Sequence, residues 1–383
     1  MTTTLAGYLP PKGATAAWER LPPERLELDP ARLREAVSYA QAHDMPWPRD
    51  LNGVNVSNDK PPFDQKLGPM KPRGGPSGLV LKNGYVVAEW GDPERVEVTF
   101  SATKSYLSAV AGLALQRGLI RDVDDRVADY VTDGGFAPPH NNRITWRHLL
   151  QQTSEWEGKL FGIPDTVDWN RGLQDSGDQP GRDVRKAPGE HWEYNDVRVN
   201  RLALALLRVW NEPLPAVLKR LVMDPIGATT TWEWHGYGSH STIELADGRS
   251  IESVSGGAHW GGGLWINAYD HARFGLLFLN RAIWNPADPS GKSRRLSTPV
   301  FSEAWLKMMR EPCPLNPNYG FMWWLNTRHK RYGKQLPESA FAASGAGGNS
   351  IVIDPERRTV TVTRWCSDVP GVAQRVAEAS TAW

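Results

Sequence analysis

Residues 96–118 read VEVTFSATKSYLSAVAGLALQRG. Val96–Phe100 reads as a strand. From Ala102 to Arg117 the apolar positions Tyr106, Leu107, Val110, Leu113 and Ala114 recur at helical spacing, so a buried helix is expected, ended by Gly118. Ser101 stands at the junction, three residues ahead of Lys104.

That spacing carries chemistry. A serine hydroxyl is a poor nucleophile until a base takes its proton. On a helix, residues i and i+3 share a face, so the Lys104 amine can approach the Ser101 hydroxyl. The helix N-terminus also directs free N–H groups toward the serine, which suits a developing oxyanion. Ser-x-x-Lys occurs by chance, and Ser101 would equally serve as a plain N-cap. The chain shows the chance case itself: Ser57-Asn58-Asp59-Lys60 also matches, in a polar loop before Pro61-Pro62. Only the Ser101 copy joins a strand to an apolar helix.

Two further segments offer partners. Pro188-Gly189-Glu190-His191-Trp192-Glu193-Tyr194-Asn195-Asp196 is a turn and an aromatic run leading into a helix from about residue 196. It presents the Tyr194 phenol, which beside a charged lysine can act as general base and then general acid. Taken alone, Tyr194 reads as a core tyrosine. The run from Phe341 to Asn349 contains Ala343-Ser344-Gly345-Ala346-Gly347-Gly348 and leads into the strand Ser350–Ile353. Small residues let a substrate approach an edge strand closely. The backbone N–H of Ala346 can pair with that of Ser101 as an oxyanion hole.

Around these segments, a helix is expected at 30–43, capped by Asp29, and a long loop at 44–77. Leu79–Leu81, Asn83-Gly84 and Tyr85–Trp90 form a hairpin signal. Helices are expected at 145–152, 196–210, 214–223, 268–280 and 370–381. Strands are expected at 319–325, 350–353 and 359–365. β-rich ends thus flank a helical middle, which gives an α+β fold: an antiparallel sheet covered by the terminal helices, a helical lobe, and a cleft between them. The expected division is an irregular N-terminal extension with one helix at 1–77, a sheet domain from 78–135 and 296–383, and a mostly helical domain at 136–295.

Composition narrows the function classes. The chain has 383 residues, 40% hydrophobic and 23% charged, the balance of a globular protein. Lys+Arg is 44 against Asp+Glu 43, so there is no basic excess for nucleic acid or an anionic membrane surface. No apolar run approaches the roughly 18 residues of a membrane span. The opening MTTTLAGYLPPKG lacks a charged n-region and apolar h-region, so a soluble, cytoplasmic protein is expected. Cys313 and Cys366 read as two buried thiols. Asp122-x-Asp124-Asp125 lacks the glycine and terminal glutamate of a calcium loop. His235 and His240 lack metal-ligand spacing, and no nucleotide or α/β-hydrolase motif is present. No metal and no cofactor is expected. The 18 tryptophans suit either aromatic cleft walls or a Trp-rich core. Trp156, Trp169, Trp260, Trp265, Trp323 and Trp324 are the candidate walls, and Gly256–Gly263, holding His259, a candidate flexible lip.

In order and rough spacing, Ser101-x-x-Lys104, Tyr194-x-Asp196 and Ala343-Ser344-Gly345 resemble the serine β-lactamase and penicillin-recognising superfamily. The nearest likeness is to its class C-related group, the family VIII carboxylesterases and the 6-aminohexanoate-oligomer hydrolases. Thr99-Phe100-Ser101, residues 147–154, Gly261-Gly262-Gly263-Leu264, residues 270–275 and Tyr319-Gly320-Phe321 carry the same resemblance, which spans about residues 77–362. It implies a β-lactamase-like fold, Ser101 as acylated nucleophile, Lys104 as its base or relay, Tyr194 as second acid/base, and the N–H groups of Ser101 and Ala346 as oxyanion hole.

Two departures stand out. The family's Tyr-x-Asn is Tyr194-Asn195-Asp196 here, and an ionised aspartate only accepts hydrogen bonds. Asp196 would keep Lys104 charged and favour Tyr194 as the base; it could not donate to a substrate amide carbonyl, so either Asn195 substitutes or the substrate lacks that carbonyl. Ala343-Ser344-Gly345 replaces Lys-Thr-Gly, which weakens recognition of a substrate carboxylate. Both changes point away from β-lactams toward other esters or amides. The expectation is a metal-independent serine hydrolase, a carboxylesterase or amidase, working on a small molecule as a monomer or homodimer. Asn195, Asp196, Ser344, Gly345, Trp156, Trp169, Trp260, Trp265 and Trp323 are the expected substrate contacts. The alternatives are a 6-aminohexanoate-oligomer-type amide hydrolase or D-amino-acid peptidase, and, from another class, a non-catalytic ligand-binding protein on the same fold.

Overall fold

The computed structural model describes residues 7–13, 17–171, 183–245, 247–284 and 299–380. Helix α1 (Pro30–Ala42) starts where the Asp29 carboxylate accepts from the N–H groups of Ala31 and Arg32, with Pro30 in the first turn. The hairpin β1 (Ser77–Lys82) and β2 (Tyr85–Trp90) turns through Asn83 and Gly84 at φ 52° and 90°, the backbone an Asn-Gly turn demands. Strand β3 is only Glu97–Val98. Helix α2 (Thr103–Gln116) follows, with every residue from Thr103 to Ala114 buried. The middle of the chain supplies α3 (Trp146–Leu150), α4 (Asp196–Trp210), α5 (Leu214–Leu218), β4 (Glu233–His235) and β5 (Gly263–Ile266). Then come α6 (Ala268–Leu279), α7 (Glu303–Met308), β6 (Trp324–Leu325), β7 (Phe341–Gly345), β8 (Asn349–Asp354), β9 (Thr359–Arg364) and α8 (Val369–Glu378).

Both ends of the chain meet in one antiparallel sheet of order β6-β7-β8-β9-β1-β2, closed by β1 on β9 from Ser77↔Arg364 to Lys82↔Thr359. Alternation along the strands divides its two faces. Val80, Trp90, Ala342 and Val352 face the terminal helices α1 and α8. Leu79, Leu81, Ile351, Ile353, Val360 and Val362 face the main core, where α6 lies. Gly275 lets α6 approach, since a Cβ there would sit 2.7 Å from Ile351 and Val360 side chains. This is the α+β architecture expected.

Several elements depart from the expected outline. Helix α6 packs on the sheet instead of joining the helical lobe, because its apolar side meets Ile351 and Val360. Helix α1 packs against α8 and β2 as part of the sheet layer. Strand β3 leaves the main sheet and pairs with β5, Val98 opposite Trp265. The strand expected at 319–325 shrinks to two residues. Gly256–Gly263 is no lip: all eight residues are buried, and Gly263 opens β5. Both cysteines are buried free thiols. Among the described residues no helix is long and apolar enough to cross a membrane.

Candidate active site

The segment before α2 is held from two sides. Thr99 N–H donates to the Leu264 carbonyl at 2.9 Å, and Leu264 N–H donates to the Thr103 hydroxyl at 3.2 Å. Between these anchors Phe100 takes φ 47°, a costly conformation for a bulky residue, and its ring is held edge-on by Trp47 and Trp365. Ser101 follows in a short 3₁₀ turn that leads into α2. One helical turn on, the Lys104 ammonium donates to Ser101 Oγ at 2.7 Å. It also donates to Asp196 Oδ1 and lies 4.6 Å from the centre of the Tyr194 ring. The structure thus brings Ser101, Lys104, Tyr194 and Asp196 together.

Tyr194 and Asp196 are delivered by the start of α4. Asn195 is its N-cap, accepting from Arg198 N–H at 3.1 Å, while its amide donates to the Asp165 carbonyl at 2.8 Å. This corrects the expectation that Asn195 binds substrate: both ends of its amide are spent on the fold. Asp196 is not a substrate contact either. Its Oδ1 holds Lys104, its Oδ2 accepts from Arg171 and lies 3.3 Å from His259 Nδ1, and its backbone N–H donates to Asp168 Oδ2 at 2.5 Å. Burial pushes the Asp196 carboxyl up, but Lys104, Arg171 and His259 outweigh it and hold the group well below the usual carboxylate range. Tyr194 is stacked on Trp324 at 5.7 Å and set edge-on to Tyr319 at 6.0 Å, so this side of the site is an aromatic wall. Trp324, with Arg331 4.1 Å from its ring centre, and Trp192, 6.2 Å from the Tyr194 ring, are tryptophans of that wall.

Strand β7 closes the opposite side. A Cβ on Gly345 would lie 2.1 Å from Thr99 O and 3.0 Å from Ser101 N, so only glycine lets the strand run this close to Ser101. Its backbone is ordinary extended chain, φ −131° and ψ 158°, so the requirement is space alone. Ala346 follows where the chain turns, and its carbonyl accepts from the Asn349 amide at 2.8 Å. Ser344 points to the other face: its hydroxyl meets Ser350 Oγ at 3.0 Å and Tyr332 OH at 3.4 Å. The expected Ser344 contact with substrate is therefore corrected by strand alternation.

The tryptophans are corrected in the same way. Trp156 donates to Gly135 O, Trp260 to Phe63 O and Trp265 to Gly262 O, and all three are buried. Trp323 is packed among Phe274, Phe278 and Phe341. Trp169, half-buried, donates to Asp165 under the Arg185 guanidinium. These rings build the core behind the site.

Asp59, Asp168, Arg171 and His259 were not foreseen at the site. His259 donates from Nε2 to Asp59 at 2.6 Å, and its Nδ1 lies 3.3 Å from Asp196 and 3.6 Å from Asp168. Asp168 also holds Arg171 at 3.3 Å. Burial favours a neutral His259, but Asp168, Asp196 and Asp59 outweigh it and push the ring up to about 10. The Asp168, Asp196 and His259 atoms lie within 4.8 Å of one another, close enough to ligate an ion. The charges present do not suit one. Lys104, Arg171 and a protonated His259 already match the three carboxylates, and a divalent ion would sit beside a guanidinium that occupies both aspartates. The Asp122–Asp125 segment is likewise taken up by arginines, Asp124 by Arg147 and Asp125 by Arg121.

The family model described as Beta-lactamase matches residues 74–379. Among curated proteins none matches the chain in sequence. Solved structures of similar fold include EstCE1, a hydrolase with promiscuous acyltransferase activity, at 15% identity, TM-score 0.56, covering 92% of this chain and 99% of that one. A putative 6-aminohexanoate-dimer hydrolase from Bacillus anthracis aligns at 14% identity, TM-score 0.55, covering 89% and 92%. A D-stereospecific amidohydrolase from Streptomyces sp. aligns at 15% identity, TM-score 0.54, covering 92% and 98%. With its sheet, its buried α2 and a family match over most of its length, the chain belongs to the beta-lactamase family of hydrolases.

Proposed function

We propose that the protein is a serine hydrolase that cleaves a carboxylic ester or amide through an acyl-enzyme on Ser101. The observation that carries this is the 2.7 Å contact between Lys104 Nζ and Ser101 Oγ in a site that excludes bulk water from the amine. Ser101 Oγ attacks the substrate carbonyl carbon, and the proton it loses passes through the Lys104–Tyr194 pair. With Asp196 bound to Lys104, the amine works as a charged relay, and Tyr194 takes the proton and returns it to the leaving alcohol or amine. The N–H groups of Ser101 and Ala346 hold the oxyanion in this reading, supported by the close approach of β7 at Gly345. Water then attacks the acyl carbon and gives its proton to Tyr194; the Ser101–acyl bond breaks, the proton passes back through Lys104 to Ser101 Oγ, and the acid leaves.

The substrate reading follows from what the site lacks. Asp196 spends both oxygens on cations, and Asn195 is an N-cap, so neither donates to an acylamino carbonyl. Esters or simple amides with an apolar part against Tyr194, Tyr319 and Trp324 suit the site better than β-lactams. The names of EstCE1 and the amide hydrolases among the structural neighbours agree with this range. A fluorophosphonate followed by intact mass tests it. One adduct, lost in Ser101→Ala, is expected, and a p-nitrophenyl ester series beside an amide panel and nitrocefin then ranks the substrates. No adduct on the folded protein would favour a ligand-binding protein instead.

A further inference from the structure

The cluster behind Lys104 is completed from an unexpected place. Residues 59–69 lie before the family match and strap the His259–Trp260 segment. The Trp260 indole donates to Phe63 O at 2.8 Å, and Leu67 and Gly68 N–H donate to Trp260 O at 2.8 and 2.9 Å. Gly262 N–H donates to Pro69 O at 3.0 Å, and Lys66 reaches His259 O at 3.4 Å. A Cβ on Gly68 would lie 2.4 Å from Gly236 O, so the strap leaves no slack. Asp59 is set by Asn55, whose amide oxygen accepts from Asp59 N–H at 3.0 Å and whose amide donates to Asp59 O at 2.8 Å.

His259 is enclosed by charges from four parts of the chain. Asp59 and Lys66 come from the strap, Asp168 and Arg171 from the 165–171 segment, Asp196 from α4, and Lys104 from α2 beyond it. One ring face lies flat on Trp260 at 3.8 Å, and the Tyr237 hydroxyl behind that ring is bound to Asn200 and Ser255. His259, Asp168 and Asp196 are side chains about 1% exposed.

We propose that His259 is a positioning residue, a buried imidazolium that Asp59 of the 59–69 strap clamps against Asp196, so that the other Asp196 oxygen holds the Lys104 ammonium on Ser101. Asp59 accepts on Nε2, which turns Nδ1 toward Asp168 and Asp196. Without the imidazolium, Asp168 and Asp196 would face each other with Arg171 alone between them, and the Asp196 carboxylate would be free to swing from Lys104. The proposal rests on the acyl-enzyme reading for its catalytic consequence, but the state of the His259 ring is independent of it.

The test has two arms on the full-length protein. In the first, nitrogen NMR of 15N-histidine-labelled protein, assigned by the signal missing in His259→Gln, shows a ring protonated on both nitrogens at about pH 8, above the unperturbed range of about 6.5. A neutral ring there overturns the proposal. In the second, the rate of Ser101 labelling by a fluorophosphonate is followed from about pH 6 to about pH 10. His259→Gln and Asp59→Asn each slow it about 10-fold or more at neutral pH by unseating Asp196; His259→Gln also moves its rising limb to higher pH, because losing a positive charge makes proton release from the site harder, whereas Asp59→Asn removes a negative charge and moves the limb to lower pH. Asp59→Glu restores part of the rate. An unmoved limb in both variants, with wild-type melting transitions, overturns the proposal; Asp59→Asn preserves shape and decides the matter where His259→Gln does not fold. Wild-type protein whose Ser101 takes no label overturns the acyl-enzyme reading instead, and the NMR arm then decides the clamp alone.

Discussion

Gly257 passes so close to Asp196 that a Cβ would lie 2.0 Å from Asp196 Oδ1 and 2.4 Å from Lys104 Nζ. The glycine therefore reserves the space in which the ion pair forms. Gly257→Ala must push Asp196 or Lys104 aside, and a shift of about 1 Å at a reacting group costs about 100-fold in rate. The expected result is Ser101 labelling slowed by about that factor, with overpacking destabilising the fold by about 1–3 kcal/mol. Labelling kinetics beside a thermal melt measure both. A variant that labels at the wild-type rate would show that the Lys104–Asp196 contact does not set reactivity.

Gly345 makes the parallel argument on the side of the proposed oxyanion hole. Its nearest neighbours are backbone atoms, Thr99 O, Ala102 N and Ser101 N, which cannot rotate away as a side chain would. Gly345→Ala forces β7 outward and widens the gap between the Ser101 and Ala346 N–H groups. Loss of one oxyanion donor costs about 10²–10³ in kcat. The variant should lose kcat by about that range while KM changes little, since the donors bind the transition state more strongly than the ester. Steady-state kinetics on a p-nitrophenyl ester decide it; a change confined to KM would move Gly345 out of the oxyanion argument.

What was legible in the sequence was local. The Asn83-Gly84 turn, the Asp29 cap and the apolar spacing of α2 each carry their signal within a few residues, and each element forms where expected. Ser101 and Lys104 meet because one helix turn joins them. Asn195 does carry a local signal for its structural role: an asparagine just before a helix start is an N-cap. The tryptophans carry no such signal, because composition cannot distinguish a ring lining a cleft from one filling a core. Asp59, Asp168 and His259 had no local signal. Asp59 and His259 are 200 residues apart, and only the folded strap brings the first to the second. The Ser57-x-x-Lys60 repeat, set aside for want of a helix, conceals Asp59 in its middle, while Lys60 itself is exposed.

Tyr194 separates packing from chemistry. Its ring packs on Trp324 and Tyr319, and Lys104 lies over its face. Tyr194→Phe keeps all three ring contacts and removes only the hydroxyl. Stability should therefore change little, while turnover should fall by about 10²–10⁴, the usual contribution of a general acid–base group. Intact-mass trapping adds a second readout: with the proton carrier gone, acyl-enzyme formation and breakdown both slow. Full turnover in this variant would leave the proton transfer to Lys104 alone.

The buried charges also govern how stability depends on pH, and the two signs oppose. The folded chain holds the Asp196 carboxyl well below its unfolded value of about 3.9, so its contribution is present above that pH and is lost as the pH falls toward the folded value. His259 is raised to about 10 in the folded chain, against about 6.5 unfolded. Its contribution is full below about pH 6.5 and drains away as the pH rises through about 10. Between those limits the unfolded chain releases a proton that the folded one keeps, so the melting temperature should fall as the pH is raised from about 7 to about 10. In His259→Gln that proton is absent, and the decline should be shallower over the same interval, although the variant starts from a lower melting temperature because Asp59 and Asp168 lose their partner. Scanning calorimetry across that range compares the two slopes directly. Parallel slopes would mean that His259 is neutral in the folded protein, and that Asp59 and Asp168 owe their place to Lys66 and Arg171 instead.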